Sequence, residues 1–401
     1  MNRVCVVSGF AFASVLAMAC QDKAELAVYK GKATPTDPAT IGSKTGAKAD
    51  SRFEVDGGGA SQPISKVSAA SLLSRAKPLL GALAQQADNP ANPSTTEKID
   101  LGHLLYFDPR LSKSQKISCN TCHDLASYGV DIREKNGARS RTSEGHDAHF
   151  GERNTPTVYN AAFHMAQFWD GRAVDVEDQA TKPILNPIEM AMDDDAAVLA
   201  ALKAVPQYVE MFAAAFPESA SDPITMANLS KAIGAYERKL VTPAPFDRFM
   251  GGDLTALDEA QLLGLQYFLD VGCTQCHSGP AVGGMQFQKL GTIKPWPDLV
   301  DEGRAAHTKN AIDKFVFKVP SLRNVTETGP WLHDGSFTEL EAIVGKMAEF
   351  QSARGKVTLA ETEAIVAFLG SLKGELPKEL IKVPELPGIE PAVEPAKPSP
   401  I

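Results

Sequence analysis

The chain has 401 residues, of which 40 are basic and 49 acidic, giving a formal net charge of −9. This length allows two or three domains, each with its own core. The acidic balance argues against nucleic acid as a partner, whereas a small electron-donor protein with a basic face would be attracted electrostatically.

The first twenty residues have the pattern of an export signal. A short basic segment ending at Arg3 precedes an apolar stretch over residues 4–19, which is short for a membrane span. We therefore expect a signal peptide over residues 1–20 and a periplasmic location. Cys20 would then open the mature chain, where a lipoprotein anchor in the membrane and ordinary signal cleavage both fit the sequence.

Residues 21–65 are rich in small and polar side chains, a composition that buries too little apolar surface to fold. The sequence predicts a flexible tether there, with a plain disordered terminus as the alternative. Beyond residue 65, apolar residues recur at helical spacing, long Gly- and Pro-rich loops separate these segments, and no run alternates over strand length. The predicted helices are 68–86, 96–107, 195–205, 208–216, 224–241, 258–269, 338–350 and 358–372.

The motif Cys-x-x-Cys-His occurs twice. In each copy the two thiols would form thioether bonds to the vinyl groups of one haem, and the histidine would reach the iron as an axial ligand. A lone Cys-x-x-Cys would also fit a redox dithiol or half of a zinc site, but both copies here carry the histidine. We predict two covalent haem c groups, attached at Cys119, Cys122 and His123 and at Cys273, Cys276 and His277.

The two motifs are far enough apart for one haem per domain. Pro243 and Pro245 interrupt the helical pattern, which places a domain junction near residue 243. The predicted fold is mainly α, with two cytochrome c-like domains that each wrap one covalent haem in long irregular loops. An N-terminal haem domain would cover 66–243 and a C-terminal one 244–375. A Pro-rich extended tail, 376–401, would pack partly on the N-terminal domain.

A haem iron bound by one histidine has a sixth position, and what fills it decides between electron transfer and chemistry. Several methionines and six further histidines are candidates, and spacing alone does not choose among them. The histidines are His103, His146, His149, His164, His307 and His333.

Eight segments, taken in order, resemble the bacterial di-haem cytochrome c peroxidases over roughly residues 67–390. Several of them are typical of that family rather than of c-type cytochromes in general. They are FDPRLS at 107–112, the first haem motif at 118–124, NTPTV at 154–158, QFWDGR at 167–172, NPIEM at 186–190, GPAVGG at 279–284, FKVPSLRN at 317–324 and HDG at 333–335.

The resemblance implies that the C-terminal haem is an electron-entry site with a histidine and a methionine ligand, since a thioether stabilises ferrous iron. Met347 stands where the family has its axial methionine, with Met285 as the local rival. The related MauG branch, which oxidises tryptophans of a partner protein, has tyrosine at that position. Met347 therefore favours a peroxidase.

The N-terminal haem would be the peroxidatic one. His146 matches the family's removable distal histidine, with His149 as a nearby competitor. Glu189 resembles the catalytic carboxylate, which moves a proton from the inner to the outer oxygen of peroxide. Gln179 and Phe168 resemble neighbours lining the same pocket. The ordinary alternative for Glu189 is a solvated surface side chain.

Two further roles rest on the resemblance. Trp169 matches an aromatic residue between the haems that assists electron passage, although a Trp in an apolar Phe-Trp pair more often packs in a core. Asn154, through its side-chain oxygen, and Thr328 and Pro330, through their carbonyls, match an inter-domain Ca²⁺ site, whose oxygen ligands suit a hard cation.

The function implied by the resemblance is reduction of hydrogen peroxide to water with electrons from a small periplasmic cytochrome c or cupredoxin, by an enzyme that forms a homodimer. Two alternatives remain open. One is a MauG-like enzyme that oxidises a partner protein, and the other is a non-catalytic di-haem electron carrier.

Overall fold

The structure is a computed structural model, and it describes residues 68–389 except positions 136 and 220. The predicted signal peptide with Cys20, the tether, and the tail beyond residue 389 lie outside the described residues.

Within that part of the chain, helices dominate, so the prediction of a mainly α fold is confirmed. Thirteen α-helices are present, several of them a single turn long. They are α1 (Ala69–Ala76), α2 (Thr96–Phe107), α3 (Cys119–Cys122), α4 (Val176–Ala180), α5 (Lys182–Leu185), α6 (Asp195–Lys203), α7 (Pro206–Ala215), α8 (Met226–Glu237), α9 (Pro245–Met250), α10 (Glu259–Asp270), α11 (Ala305–Thr308), α12 (Leu340–Gln351) and α13 (Leu359–Gly370).

Most of the predicted helices form close to their predicted bounds, because their ends carry strong capping signals. Thr95 accepts a hydrogen bond from the backbone N–H of Lys98 at the start of α2, and Thr358 and Glu361 cap the start of α13 reciprocally. The helix predicted over 68–86 is the exception. It ends at Ala76, two residues before Pro78, whose ring cannot continue a helix.

Two small antiparallel sheets complete the described structure, and neither was predicted. Strands β1 (Glu134–Lys135) and β2 (Ala138–Arg139) form a hairpin, and β3 (Phe287–Lys289) pairs with β4 (Val316–Lys318). Two or three residues are too few to produce a visible alternation of polar and apolar side chains.

The same helix contact occurs twice. Helix α2 packs on α8 and α10 packs on α13, and in both pairs a glycine allows the backbones to touch. A Cβ at Gly102 would lie 2.0 Å from the carbonyl oxygen of Ala232, and one at Gly264 would lie 1.8 Å from that of Ala364. Each haem motif follows the first helix of its pair, so both motifs start from an equivalent scaffold.

The core is divided along the chain. One cluster joins residues of α9, α10, α12 and α13, whereas two others join residues of α2, α4–α8 and their loops. Helix α1 packs in the first of these, through Leu72 and Leu73, although the sequence analysis placed it in the N-terminal domain. In contrast, Leu380 and Leu386 of the C-terminal tail pack against the cluster that contains Tyr106. The two-domain division itself stays a prediction.

Among the described residues no single helix is long and apolar enough to cross a membrane. The bent pair α6 and α7 passes by length and composition, but Val198, Leu202 and Phe212 on these helices are buried in the core.

Candidate haem sites

The first haem motif lines a cavity of about 490 Å³. Cys119 and Cys122 are the first and last residues of the one-turn helix α3, so their three-residue spacing puts both thiols on one face. Burial raises the pKa of Cys119 to about 12 and that of Cys122 to about 11. A redox dithiol has a lowered thiol pKa, so this environment does not fit a redox dithiol.

His123 lies at the end of α3 with its imidazole buried. Its Nδ1 is 3.3 Å from the carbonyl oxygen of Gly129, and burial lowers its pKa. The ring is therefore neutral at pH 7. With the proton assigned to Nδ1 by that hydrogen bond, Nε2 keeps its lone pair for a metal. Gly129 has a positive φ of 70°, and a Cβ there would crowd Val158 at 2.9 Å.

The second motif lines a cavity of about 240 Å³ that also receives Met347 from α12. Burial lowers the pKa of His277 to about 4, with the carbonyls of Val282 and Pro320 opposing. Neutral imidazole and thioether are the axial donor pair of cytochromes c, which carry electrons. The rival Met285 does not line this cavity, and 46% of its surface is exposed. The residues present thus fit a haem in each cavity.

The structure brings Glu189, Gln179 and Phe168 together around the first cavity. Glu189 follows α5 in a turn closed by its N–H bond to the carbonyl of Asn186, 3.0 Å away. Burial raises the pKa of Glu189, while the charge of Arg172 opposes the shift. A carboxyl group with a raised pKa beside a cavity can both accept and return a proton near neutral pH.

His146 is held next to this site without its imidazole lining the cavity, although Gly145 does line it. The backbone N–H of His146 donates to the carbonyl of Glu189 at 2.8 Å. Its Nε2 is 3.3 Å from the carboxylate of Asp147, and its Nδ1 is buried without a hydrogen bond among the described residues. The exposed His149 places Nδ1 3.0 Å from the carbonyl of His146. The distal-ligand assignment stays a prediction.

Trp169 lines both cavities. Its Nε1–H donates to the carbonyl of Asn154 at 2.8 Å, and its own carbonyl accepts from the N–H of Lys318 at 2.7 Å. The indole also meets the ring of His333 edge-on, with centroids 6.4 Å apart. One hydrogen bond at the ring and one at the backbone, to residues from the two halves of the chain, therefore hold Trp169 between the two cavities.

Two of the three predicted Ca²⁺ ligands touch each other. The side-chain amide of Asn154 lies 2.6 Å from the carbonyl oxygen of Pro330, and Thr328 lies two residues earlier in the same loop. The amide is assigned with Nδ2 toward the carbonyl, and rotation by half a turn would present Oδ1 instead. The structure thus places the Asn154 side chain against the loop that contains Thr328 and Pro330.

A partly buried ion network joins residues on the two sides of the predicted domain junction. Arg153 pairs with Asp170 at 2.7 Å, next to Trp169, and with Asp301 of the C-terminal half at 2.8 Å. Arg304 donates to the carbonyl of Asp170 at 2.9 Å. These contacts fix the loop that carries Phe168 and Trp169 against the C-terminal half.

Sequence reasoning gave no role to three residues at these sites. The guanidinium of Arg172 lies 3.5 Å from the ring centre of Phe168, Lys318 lines the second cavity, and Glu237 on α8 lines the first. Burial raises the pKa of Glu237 to about 8. Charged residues in loops and helices normally face water. Arg172 and Lys318 lie in two of the quoted family segments, which is the one signal that could have pointed to them. Glu237 lies in none of these segments.

Comparison with known proteins agrees with this geometry. A family model described as di-haem cytochrome c peroxidase matches residues 96–255. The cytochrome c551 peroxidase of Nitrosomonas europaea is 43% identical over 297 residues, covering 74% of this chain and 85% of that protein. That of Pseudomonas aeruginosa is 42% identical over 301 residues, covering 74% and 83%.

The chain belongs to the di-haem cytochrome c peroxidase family. A crystal structure of a MauG-like protein associated with microbial copper homeostasis is similar in fold, with a TM-score of 0.63 and 27% identity over 75% of this chain and 95% of that one. Membership in the family makes haem the cofactor, as the two Cys-x-x-Cys-His motifs predict.

Proposed function

We propose that this member of the di-haem cytochrome c peroxidase family reduces hydrogen peroxide to two water molecules, using two protons and two electrons from a small redox protein. The observation that carries the proposal is the difference between the two cavities. The first contains a partly buried carboxyl group, Glu189, whereas the second contains a thioether, Met347. A proton carrier belongs where peroxide is cleaved, and a thioether belongs where electrons are stored.

The haem of the first cavity would supply the iron that accepts peroxide and delivers the electrons. Glu189 would take the proton from the inner peroxide oxygen and return it to the outer one, so that the second oxygen leaves as water. Gln179 offers an amide that can orient the peroxide. Phe168, covered by Arg172, restricts access of water to the same space.

Electrons would enter at the second cavity and cross the interface at Trp169. The two cavities share this side chain and the segment 154–157. The indole Nε1–H donates to the Asn154 carbonyl, and the backbone carbonyl of Trp169 accepts from the Lys318 N–H, so the residue is held in place at its ring and at its backbone. A fixed conjugated ring between two redox sites suits electron passage.

We further propose a Ca²⁺ ion at Asn154, Thr328 and Pro330, with water completing its coordination. The proximity of the Asn154 amide to the Pro330 carbonyl supports this. The site joins the segment after the predicted distal histidine to the loop before His333, so a cation there would couple the halves.

The remaining proposals concern the cellular setting. An export signal followed by Cys20 supports a periplasmic enzyme, with a lipid anchor at Cys20 and ordinary signal cleavage as the two alternatives. The net charge of −9 supports a donor with a basic face, such as a small cytochrome c or a cupredoxin. The homodimer rests on the family resemblance.

The test is a steady-state peroxide assay with reduced cytochrome c, on protein purified from a host that matures c-type cytochromes. The assay is run before and after partial reduction of the protein. Glu189→Gln should lower turnover at least a hundredfold while leaving both haem spectra unchanged. Glu152→Gln is the matched control, since Glu152 is an exposed carboxylate that also lines the first cavity. Full activity of the Glu189→Gln protein would refute its role.

The same samples separate the alternatives. A MauG-like enzyme, which the MauG-like structural relative brings into consideration, would lack a methionine-ligated haem in its spectrum and would oxidise a partner protein. An electron carrier would keep both irons six-coordinate after half-reduction. The peroxidase predicts one methionine-ligated haem and one that becomes high-spin and reacts with peroxide.

A further inference from the structure

Lys318 is a buried lysine without an acidic partner. It is the last residue of β4, only 7% of its surface is exposed, and it lines the second cavity. Its Nζ is 3.2 Å from Nδ1 of His164, and no carboxylate pairs with it among the described residues. Removing an ammonium group from water is costly unless an anion or several acceptors replace the water, so an acceptor is needed at this position.

His164 has the complementary feature. It lines the same cavity, and its Nε2 is buried with no hydrogen-bond partner in the part of the chain that the structure describes. The ring is accommodated by Gly284, where a Cβ would lie 2.2 Å from its Cδ2. The backbone around it is tied to the other half, because Met165 N–H donates to the Gly284 carbonyl at 2.9 Å.

In their expected protonation states, Lys318 and His164 both present hydrogen-bond donors to the cavity. Burial and the charge of Lys318 hold the pKa of His164 well below its usual value, so the imidazole is neutral. Burial lowers the pKa of Lys318 to about 8, which leaves it mostly protonated at pH 7. A neutral His164 that accepts from Lys318 at Nδ1 carries its proton at Nε2. Nζ and Nε2 therefore both present N–H groups, and the pair contains no free acceptor.

We propose that Lys318 and His164 together bind a propionate carboxylate of the haem in the second cavity. A haem brings two carboxylates into this space, and a cation with a second N–H donor is what a buried carboxylate requires. This inference rests on haem attachment at the second motif and does not require peroxide turnover. His164 belongs to the N-terminal half and Lys318 to the C-terminal half, so the carboxylate would be held by both halves at once.

The consequence is electrostatic. A fixed positive charge beside the haem favours the ferrous state, in the same direction as the thioether of Met347. Replacing Lys318 by methionine keeps the length of the side chain and removes the charge. Lys318→Arg keeps the charge, and His164→Phe keeps the aromatic ring while removing the N–H donor.

The experiment is a spectroelectrochemical titration of the holoprotein that reads both haems separately. Lys318→Met should move the reduction equilibrium of the methionine-ligated haem about tenfold toward the ferric form, which is a potential lower by about 59 mV for one electron. Lys318→Arg should keep the potential of this haem close to the wild-type value. His164→Phe should lower it by less than Lys318→Met does. Lys289→Met is the control, because Lys289 lies on the paired strand β3, is exposed and carries the same charge.

Equal small shifts for Lys318→Met and Lys289→Met would overturn the proposal and leave the pair a structural contact. If Lys318→Met fails to retain the haem by mass, His164→Phe decides, and an unchanged potential there would also overturn it. A wild-type protein that holds two haems but does not reduce peroxide would refute the proposed function without affecting this result.

Discussion

Replacing Gly264 by alanine should destabilise the C-terminal half, because α10 and α13 leave no space for a methyl group. A Cβ at Gly264 lies 1.8 Å from the carbonyl oxygen of Ala364 and 2.8 Å from the Cβ of Phe368. The first of these atoms is helix backbone and cannot rotate away. The two helices would have to separate by more than about 1 Å, which loosens the core around Phe368.

The expected magnitude follows from two opposing terms. Overpacking of this kind costs about 1–3 kcal/mol, and alanine regains about 0.5–1 kcal/mol over glycine in a helix. The net loss is therefore at most about 2.5 kcal/mol, which lowers the melting temperature by up to about 4 °C for about 320 residues, at about 2.1 cal/mol/K of unfolding entropy per residue. The same reasoning applies to Gly102 in the contact between α2 and α8.

Gly370 provides the matched control. It ends α13, and a Cβ built there meets nothing within 4 Å. Gly370→Ala should leave the stability unchanged or raise it by up to about 1 kcal/mol. The assay is thermal unfolding of the holoprotein, followed by far-UV circular dichroism and by the absorbance of the methionine-ligated haem. Equal melting temperatures for the Gly264 and Gly370 variants would refute the argument from close backbone contact.

Three further outcomes are expected. Arg172→Gln should move the acid limb of the peroxidase pH profile to higher pH, because the Arg172 charge lowers the pKa of Glu189 and the carboxylate is the active form; an unmoved limb would contradict this. Arg323→Met should cost about 3–5 kcal/mol of unfolding free energy, since Arg323 is fully buried against Asp247, whereas Arg248→Met, at an exposed arginine, should cost under about 0.5 kcal/mol. Chelation of Ca²⁺ should slow turnover with both haem spectra intact, and calcium alone should restore it; an unaffected rate would exclude the cation site.

The parts of the structure that the sequence predicted are those decided by local chemistry. The helix over 96–107 follows from Thr95 and the apolar spacing behind it, and the haem motifs follow from their residues alone. The strands β3 and β4 are different, because 26 residues separate their facing ends, Lys289 and Val316. Their pairing depends on how the intervening loop folds back, and that is a non-local property.

The residues of the two cavities divide in the same way between local and non-local signals. Glu189 and Met347 were identified through the family resemblance, and the structure places each in the cavity of one motif. The roles of Arg172 and Lys318 depend instead on burial and on partners distant in sequence, His164 in the case of Lys318. A charged residue carries no local signal that it will be buried, so a pattern-based analysis assigns it to the surface.

The two halves use one scaffold for two kinds of chemistry. Both place a haem motif after a helix that touches its partner through a glycine, so the backbone around each motif starts in the same way. The difference comes from the element that completes each cavity: the turn after α5 adds Glu189 to the first, and α12 adds Met347 to the second. Because the shared wall contains Trp169, which is bonded to both halves, a shift of the interface would alter both cavities together. Arg153, which pairs with Asp170 next to Trp169 and with Asp301 of the C-terminal half, therefore belongs to the functional unit.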